Sequence, residues 1–278
     1  MAFLSCSIYS HALYSNITVN VCLPTPTSGD QVNYDTLKRD YGYEQGLPVV
    51  YLLHGMYGDA SSWTRFSSVE RYCQDRKIAA VTCSAGNNFY QDMPGGLPWA
   101  AFFTEELPAY ICALFPVSPR REDTFIAGFS MGGYGAWHLA LTAPERFSKA
   151  ASMSGAVDID AIYKTFKDSH ISDPFNWKAM FGDPDALAGS KSDLFAQYQA
   201  LAAQGRPLPK LYQACGTEDF LYKLNLAARD KMLSLGADLT WAEGKGSHDW
   251  TFWDVHIQKV LDWLLEDREK AVGTVIMG

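Results

Sequence analysis

The sequence predicts an α/β fold in which helices flank a mostly parallel central sheet. Short apolar runs without polar interruption, such as residues 47–53 and 78–83, are typical of strands that are buried on both faces. Segments with helical periodicity alternate with these runs, which is the pattern of parallel strands joined by crossover helices. Glycine-bearing loops follow several of the runs, at the edge of the sheet where α/β proteins bind ligands.

Composition favours a single domain that spans residues 1–278. Of the 278 residues, 47% are hydrophobic and 14% aromatic, which is enough for one large core or two small ones. No repeat, low-complexity run or change in composition divides the chain. We therefore expect one domain that carries an insertion at about residues 157–209.

Charge and the N-terminal sequence argue against several classes of partner. The net charge is −8, from 23 Lys and Arg against 31 Asp and Glu, and without a basic cluster nucleic-acid binding is not expected. The N-terminal residues lack the basic region and apolar run of a signal peptide. No apolar stretch approaches the ~20 residues that cross a bilayer. We expect a cytoplasmic protein that does not bind membranes.

The six cysteines are spread along the chain without a C-x-x-C pair: Cys6, Cys22, Cys73, Cys83, Cys112 and Cys215. This spacing supports neither a zinc site nor a disulfide framework. Most of the cysteines are therefore expected to be small buried side chains. Neither a metal ion nor an organic cofactor is predicted.

The N-terminal part is predicted to form an edge hairpin followed by a loop. Residues 5–9 and 17–23 alternate in hydrophobicity as strands do, and a turn around Ser15 and Asn16 would join them. Residues 24–46 are polar and contain Pro, Gly, Asp and Asn, which indicates a surface loop. The hairpin would place two antiparallel strands beside the parallel part of the sheet.

The rest of the chain alternates between helices and strands. Helices are predicted at residues 69–75, 104–115, 131–143, 224–235 and 252–265. Further strands are predicted at residues 78–83, 123–127, 149–153, 210–215 and 237–242. A long loop covers residues 86–99, and a loose tail is expected at 271–278.

Residues 157–209 break this alternation. The segment contains short helical pieces and aromatic side chains that we expect to be exposed. The helical pieces are residues 161–166, 176–180 and 194–203, and the aromatic side chains are those of Phe175, Trp177 and Phe181. Two interpretations are open: the insertion is a lid over the site, or it consists of extra helices packed at the edge of the sheet.

Residues 128–132 form the pattern G-x-S-x-G where a predicted strand meets a predicted helix. A serine on such a corner has strained backbone geometry and an exposed hydroxyl, and the flanking glycines leave room for the turn. Ser130 is therefore the candidate nucleophile. The alternative is a glycine-rich start of a helix in which the serine has no role.

A serine hydroxyl needs a general base, usually a histidine that a carboxylate orients. In α/β-hydrolases these groups follow in the order serine, acid, histidine, each on a loop after a strand. The sequence offers Glu218 or Asp219 as the acid and His248 as the base, and spacing does not decide between the two acids. The remaining histidines have less suitable positions: His11, His138, His170 and His256.

The loop that begins at His54 follows a buried strand and contains Gly55 and Met56. In a serine hydrolase such a loop supplies one backbone N–H to the oxyanion, and the residue after the nucleophile supplies another. The N–H groups of Met56 and Met131 are therefore the predicted oxyanion hole. His54 is interpreted as a structural residue that holds this loop.

Four separated stretches resemble the bacterial tributyrin esterases. They read HGM at 54–56, GFSMGGYG at 128–135, CGTEDFLY at 215–222 and HDWTFW at 248–253. This family belongs to the esterase D group, with the S-formylglutathione hydrolases, feruloyl esterases and mycolyltransferases as relatives. Residues 87–99 lack the Trp-Arg-Met-Tyr-type run of the S-formylglutathione hydrolases, which weighs against that activity.

The resemblance implies the α/β-hydrolase fold and a triad of Ser130, His248 and Asp219, so it favours Asp219 over Glu218. It also implies a serine carboxylesterase that hydrolyses short-chain acyl esters of small molecules through an acyl-enzyme. Three alternatives are an acyltransferase with the same triad, a carbohydrate esterase that removes feruloyl or acetyl groups, and a non-enzymatic binding module on a degenerate hydrolase fold.

Bulky side chains near Ser130 predict a short apolar acyl pocket. They are Met56, Tyr57, Trp99, Phe220 and Trp250. A pocket bordered by them should fit acyl chains of roughly two to six carbons, because each buried CH₂ adds up to ~0.8 kcal/mol of binding until the pocket is full. The alternative is that the aromatics belong to the core and the insertion shapes the pocket. The sequence does not indicate whether the chain forms a homo-oligomer.

Overall fold

The computed structural model describes residues 1–168 and 176–275. In these residues one eight-stranded sheet forms the centre of the molecule. Its strands are Ala2–Ser10 (β1), Ser15–Leu23 (β2), Val49–Leu53 (β3), Ala79–Cys83 (β4), Thr124–Phe129 (β5), Lys149–Met153 (β6), Lys210–Gly216 (β7) and Leu239–Gly244 (β8). Their order across the sheet is β1-β2-β4-β3-β5-β6-β7-β8.

The sheet is antiparallel at one edge and parallel elsewhere. Strand β2 pairs antiparallel with β1 and β4, and all the pairs from β4 through β8 are parallel. The carboxyl ends of the parallel strands therefore face one edge of the sheet. The loops after β3, β5, β7 and β8 meet there, which is where an α/β sheet binds ligands.

Helices cover both faces of the sheet. They are Leu37–Asp40 (α1), Ser62–Phe66 (α2), Val69–Asp75 (α3), Trp99–Ala101 (α4), Leu107–Leu114 (α5), Met131–Thr142 (α6), Ile159–Asp168 (α7), Trp177–Phe181 (α8), Leu194–Ala203 (α9), Tyr222–Ser234 (α10) and Trp250–Val275 (α11). A π-helical segment, Phe102–Glu106, joins α4 to α5, and short 3₁₀ turns lie at Arg121–Asp123 and Pro184–Ala186.

Two hydrophobic cores explain why the central strands are apolar throughout. On one face, α2, α3 and α11 pack on the sheet through side chains such as Trp63, Tyr72 and Ile257. On the other face, α5, α6 and the insertion form a larger core. Every residue of β3, β4, β5 and β6 is buried. Strands covered on both sides need no polar face, as the sequence predicted.

The turn of the edge hairpin differs from the prediction. Ser15 and Asn16 lie inside β2, and Ser10 pairs with Ser15, so the turn is formed by residues 11–14. The Glu106 carboxylate accepts hydrogen bonds from the N–H groups of His11, at 2.7 Å, and Ala12, at 3.2 Å. A contact between residues 95 positions apart fixes this turn, so local sequence could not reveal it.

The insertion is packed more tightly than its sequence suggests. Trp177 and Phe181 were expected to be exposed, but they are only 3% and 9% accessible. Their rings pack against each other and against Phe89, at centroid distances of 5.3 to 6.2 Å. Phe175 lies outside the described residues. Helix α9 packs on α6, which itself packs on the central strands β5 and β6, so this part of the insertion covers a face of the sheet and not its edge.

The last helix is longer than predicted. It begins at Trp250 and continues to Val275, so residues 271–275 are helical and not a loose tail, and residues 276–278 lie outside the described part. Ion pairs hold its C-terminal half at the base of the sheet. Asp267 lies 3.0 Å from Lys149 Nζ and 3.1 Å from Lys210 Nζ. Among residues 1–168 and 176–275, no helix is both long and apolar enough to cross a membrane.

Two buried histidines predict a loss of stability at mildly acidic pH. Burial lowers the pKa of His138 and of His256 to about 4 each, and Lys191 and Lys259 respectively add to the effect. An unfolded histidine takes up a proton near pH ~6.5, so stability is complete above that pH and is lost as the pH falls toward 4. At pH 5 each histidine should cost on the order of 2 kcal/mol of unfolding free energy.

Urea unfolding at pH 7.5 and pH 5 would measure this loss. His256→Phe should make it smaller, because the ring of His256 stacks on Phe252 at 3.9 Å and its Nδ1 has no hydrogen-bond partner in the described residues. The exposed residue His11 supplies the control, and His11→Phe should lose as much stability as the unaltered protein. If His256→Phe lost as much unfolding free energy between pH 7.5 and pH 5 as the unaltered protein, protonation of His256 would not contribute to the loss.

Candidate active site

Ser130 lies on the corner between β5 and α6 with φ 54° and ψ −121°. A positive φ is strained for a residue other than glycine and is held only where the surroundings fix it. The Ser130 N–H donates to Met153 O at 2.9 Å. Its carbonyl accepts from the N–H groups of Gly133 at 3.0 Å and Ala156 at 3.2 Å. These bonds to two neighbouring segments hold the serine in the strained conformation.

The two glycines of the G-x-S-x-G pattern are required by close backbone approach. A Cβ on Gly128 would lie 2.2 Å from Gly132 O. A Cβ on Gly132 would lie 2.6 Å from the carbonyl oxygens of both Leu53 and His54. The corner therefore packs against itself and against the end of β3. This packing places Ser130 beside the loop that begins at His54.

His248 and Asp219 complete a chain of hydrogen bonds that starts at Ser130. His248 Nε2 lies 2.9 Å from Ser130 Oγ, and His248 Nδ1 lies 2.9 Å from Asp219 Oδ2. The Asp219 side chain is fully buried, and its Oδ1 also accepts from Leu221 N–H at 2.8 Å. Glu218 is exposed, and the carboxylate that pairs with His248 Nδ1 is that of Asp219. Of the two predicted acids, the structure brings Asp219 to His248.

Backbone contacts bring the acid loop and the histidine loop together. Thr217 N–H donates to Gly244 O, and Glu218 N–H donates to Gly246 O, both at 2.9 Å. A Cβ on Gly216 would lie 2.2 Å from Gly246 O, so only glycine allows this approach. The backbone N–H of Glu218 is thus engaged in holding the two loops. The next residue, Asp219, turns its carboxylate toward the imidazole.

The N–H groups of Met56 and Met131 are both free to bind an oxyanion. Within the described residues neither donates a hydrogen bond. Met131 is the first residue of α6, so its N–H belongs to the unpaired donors at a helix N-terminus, where the helix dipole favours negative charge. The loop of Met56 is held by its neighbour, because Tyr57 N–H donates to Asn87 Oδ1 at 2.8 Å.

His54 supports this loop and does not contact Ser130. Its Nε2 accepts from Ala85 N–H at 2.9 Å, its Nδ1–H donates to Gly55 O at 2.7 Å, and its carbonyl accepts from the Tyr90 hydroxyl at 2.9 Å. Burial lowers the pKa of His54, so the ring stays neutral with the proton on Nδ1. These contacts agree with the structural role predicted for this histidine.

Two cavities adjoin Ser130. The larger, of about 390 Å³, is lined by His248 and by aromatic rings, and the smaller, of about 60 Å³, is lined by apolar side chains that include Ile162 and Trp177 of the insertion. Met56 and Phe220 line both cavities together with Ser130. The insertion therefore borders the site, and helix α7 contributes to the smaller cavity.

Three of the aromatics predicted for the pocket lie in it, and one does not. Tyr57, Phe220 and Trp250 line the larger cavity. Trp99 lines neither cavity, because it starts α4 and packs on Phe102 and Phe103 at centroid distances of 6.1 and 6.3 Å. Its placement in the pocket was wrong.

Sequence reasoning missed several cavity residues. Phe66 and Trp253 line the larger cavity, and Phe89 and Phe166 line the smaller. Phe129 also lines the larger cavity. It directly precedes the nucleophile, and that position could have indicated that it borders the site. The others come from elements far from Ser130 in sequence.

Of the other histidines that the structure describes, none lines the cavities beside Ser130. His11 is on the edge hairpin, His138 and His256 are buried in helices, and His170 lies outside the described residues. In residues 1–168 and 176–275, no three His, Cys, Asp or Glu side chains are grouped to hold a metal ion. In this chain of hydrogen bonds the imidazole of His248, oriented by the carboxylate, can take the proton of the Ser130 hydroxyl. The N–H groups of Met56 and Met131 can bind a developing oxyanion.

Comparison with known proteins places this arrangement among esterases. A family model described as "Putative esterase" matches residues 10–264. An acetyl esterase of Caldicellulosiruptor saccharolyticus is 30% identical over 270 residues, which cover 95% of this chain and 98% of that protein. Both matches include the serine corner, the acid loop and the histidine loop.

Solved structures of serine hydrolases share the fold. FphF, a fluorophosphonate-binding serine hydrolase of Staphylococcus aureus, superposes with a TM-score of 0.82 at 28% identity and covers 95% of this chain and 98% of its own. An S-formylglutathione hydrolase (FrmB) of the same organism superposes with a TM-score of 0.78 at 28% identity and with the same coverage. The predicted α/β-hydrolase fold is confirmed.

Proposed function

Since the chain belongs to this esterase family and is a carboxylic ester hydrolase, we propose that it hydrolyses esters of short carboxylic acids through an acyl-enzyme on Ser130. One observation carries the proposal. Ser130 Oγ, His248 and Asp219 form a continuous chain of hydrogen bonds beside two unpaired backbone N–H groups. This set contains every group that acyl transfer by a serine requires.

The mechanism follows from these positions. Ser130 Oγ attacks the ester carbonyl while His248 Nε2 takes its proton, and Asp219 stabilises the imidazolium through Nδ1–H. The N–H groups of Met56 and Met131 bind the oxyanion of the tetrahedral intermediate. His248 then gives the proton to the leaving alcohol oxygen. A water molecule, deprotonated by the same histidine, cleaves the acyl-enzyme and restores the serine.

The smaller cavity supports a short acyl group. Its volume of about 60 Å³ is well below the ~150 Å³ that holds a benzene ring in an engineered protein cavity. An acetyl to butyryl group is therefore a better fit than a feruloyl group. The acetyl esterase relative carries a small acyl group in its name, which supports the same conclusion. Esters of butyrate, such as tributyrin, lie at the upper end of this range.

The acyl length should govern catalytic efficiency. We expect kcat/KM for p-nitrophenyl esters to be highest at butyrate or shorter and to fall by at least about tenfold at octanoate, because overfilling a packed site costs ~1–3 kcal/mol. The p-nitrophenyl esters of acetate, butyrate, hexanoate and octanoate share one leaving group, so differences in their kcat/KM values come from the acyl group. An optimum at octanoate would contradict the short pocket.

Two further assays separate the alternative esterase functions. Methyl ferulate should have a lower kcat/KM than methyl butyrate, which has the same leaving alcohol, and a higher kcat/KM for methyl ferulate would assign the chain to feruloyl esterases. Added alcohols should compete weakly with water for the acyl-enzyme. A product distribution dominated by transfer to the alcohol would identify an acyltransferase.

A further inference from the structure

We propose that the two cavities beside Ser130 sort the two halves of the ester. The acyl group enters the smaller cavity, and the larger one holds an alcohol that carries an apolar ring, with Phe220 as the wall between them. This inference rests on the proposed function, because it assigns a substrate class to the same site. Nothing in the catalytic chemistry itself requires such a division.

The position of His248 decides which cavity receives the alcohol. A general acid must lie within hydrogen-bond reach of the oxygen that it protonates. His248 lines the larger cavity and not the smaller one. The leaving oxygen, and the group attached to it, therefore face the larger cavity. The acyl substituent lies on the other side of the carbonyl carbon, where the smaller cavity begins beside Met131.

The walls of the larger cavity suit a ring. The ring of Trp250 packs against those of Trp63 and Phe129, at centroid distances of 5.3 and 4.6 Å, and the ring of Phe66 lies 5.5 Å from it. Phe66 is 53% exposed, so part of its surface is available to a ligand. The cavity of about 390 Å³ also exceeds the ~150 Å³ that a benzene ring needs. Aromatic side chains prefer to pack against other rings in offset or edge-to-face geometry.

The polar groups of this cavity are few, which favours an apolar ring over a polyol. Besides Ser130 and His248, its lining offers the side-chain hydroxyls of Tyr57 and Ser62 and the indole N–H groups of Trp250 and Trp253. The Trp253 N–H already donates to Ser154 Oγ at 3.1 Å. The Ser62 hydroxyl already accepts a hydrogen bond from Asp59 N–H at 3.0 Å. A sugar would leave several hydroxyls without partners, which costs binding. We therefore assign a benzylic or similar ring-bearing alcohol.

Phe220 separates the two halves of the site. It lines both cavities, and its ring centroid lies 4.7 Å from that of His248. Its side chain is 69% exposed, so it can be shortened without opening the core. Removing the ring would join the 60 Å³ and 390 Å³ spaces and let a bulky acyl group enter.

A pair of isomeric esters tests the division. Benzyl acetate and methyl phenylacetate contain the same atoms, but the ring is on the alcohol in the first and on the acyl group in the second. Their leaving alcohols have similar acidity, so intrinsic reactivity differs little. We expect kcat/KM for benzyl acetate to exceed that for methyl phenylacetate by about 100-fold, as a bulky group rejected by a small pocket would give.

Three variants locate the effect. Phe220→Ala should reduce the ratio about tenfold, mainly by raising kcat/KM for methyl phenylacetate. Phe66→Ala should lower kcat/KM for benzyl acetate about fivefold more than that for ethyl acetate. Phe3→Ala is the matched control, because Phe3 is an exposed aromatic residue on β1, outside both cavities, and should leave the ratio unchanged.

The outcomes distinguish this inference from the proposed function. Comparable rates for the two isomers, or faster hydrolysis of methyl phenylacetate, would overturn the division while leaving the esterase activity in place. An unchanged ratio in Phe220→Ala would overturn the role of Phe220. If Ser130→Ala hydrolysed both esters as fast as the unaltered protein, the proposed function itself would fail.

Discussion

Ser130→Ala is expected to lower kcat for p-nitrophenyl butyrate by at least about 1,000-fold. The variant keeps the two N–H donors and the cavities but has no oxygen that can form the acyl-enzyme. The residual rate would come from water attack on an ester bound in the oxyanion hole. Steady-state kinetics on purified protein would measure the loss.

Ser234→Ala provides the matched control for this variant. Ser234 ends α10, and its exposed hydroxyl donates only to Lys231 O, at 2.7 Å. Its removal should leave kcat unchanged. Because Ser130 is strained at φ 54°, both variants should also be compared for thermal stability. Retention of full activity in Ser130→Ala would exclude a covalent role for this serine.

Asp219→Asn should lower kcat by about 10³- to 10⁴-fold, whereas Glu218→Gln should remain close to the unaltered enzyme. An asparagine can present its NH₂ group to the imidazole, which favours the tautomer with the proton on Nε2, and that tautomer cannot accept the proton of Ser130. Glu218 is exposed and contributes its backbone N–H alone, which the glutamine retains.

These two neighbours form a matched pair, since each substitution replaces a carboxylate by an amide at adjacent positions. KM should change little in either variant, because neither side chain lines a cavity beside Ser130. A severe loss in Glu218→Gln with a mild one in Asp219→Asn would reverse the assignment of the acid.

The parts of the site that the sequence revealed are those in which chemistry dictates residue type. Only glycine fits at positions 128 and 132, where a Cβ would lie 2.2 to 2.6 Å from backbone oxygens. Glycines at such spacing around a serine, after an apolar run, therefore indicate the corner directly. The loops of Asp219 and His248 follow neighbouring parallel strands, β7 and β8, so their meeting at one edge of the sheet could be predicted.

The choice between Glu218 and Asp219 shows where reasoning from residues ends. Both carboxylates follow β7, and spacing treats them alike. The contact of Gly216 with Gly246 and the bond from Glu218 N–H to Gly246 O set the rotation of this loop. These contacts join segments about 30 residues apart, so they are visible only in the folded chain or through resemblance to a family.

Three differences between the predicted and the observed structure also come from contacts between segments that are distant in sequence. The hairpin turn depends on Glu106, the buried rings of the insertion depend on Phe89, and the length of the last helix depends on ion pairs with Lys149 and Lys210. Trp99 was assigned to the pocket because it precedes a helix near the site, yet it packs on Phe102 and Phe103. In the first three cases a partner distant in sequence overrides the local pattern, whereas Trp99 packs on rings three and four residues further along the chain.

The central claim is that Ser130 carries the acyl group, and covalent labelling tests it most directly. The protein would be treated with an organophosphonate that mimics the tetrahedral intermediate, and the modified peptide would be mapped by mass spectrometry. The account predicts one label per chain, on Ser130, with parallel loss of esterase activity and no label in Ser130→Ala. A label on another residue, or equal labelling of the alanine variant, would contradict it.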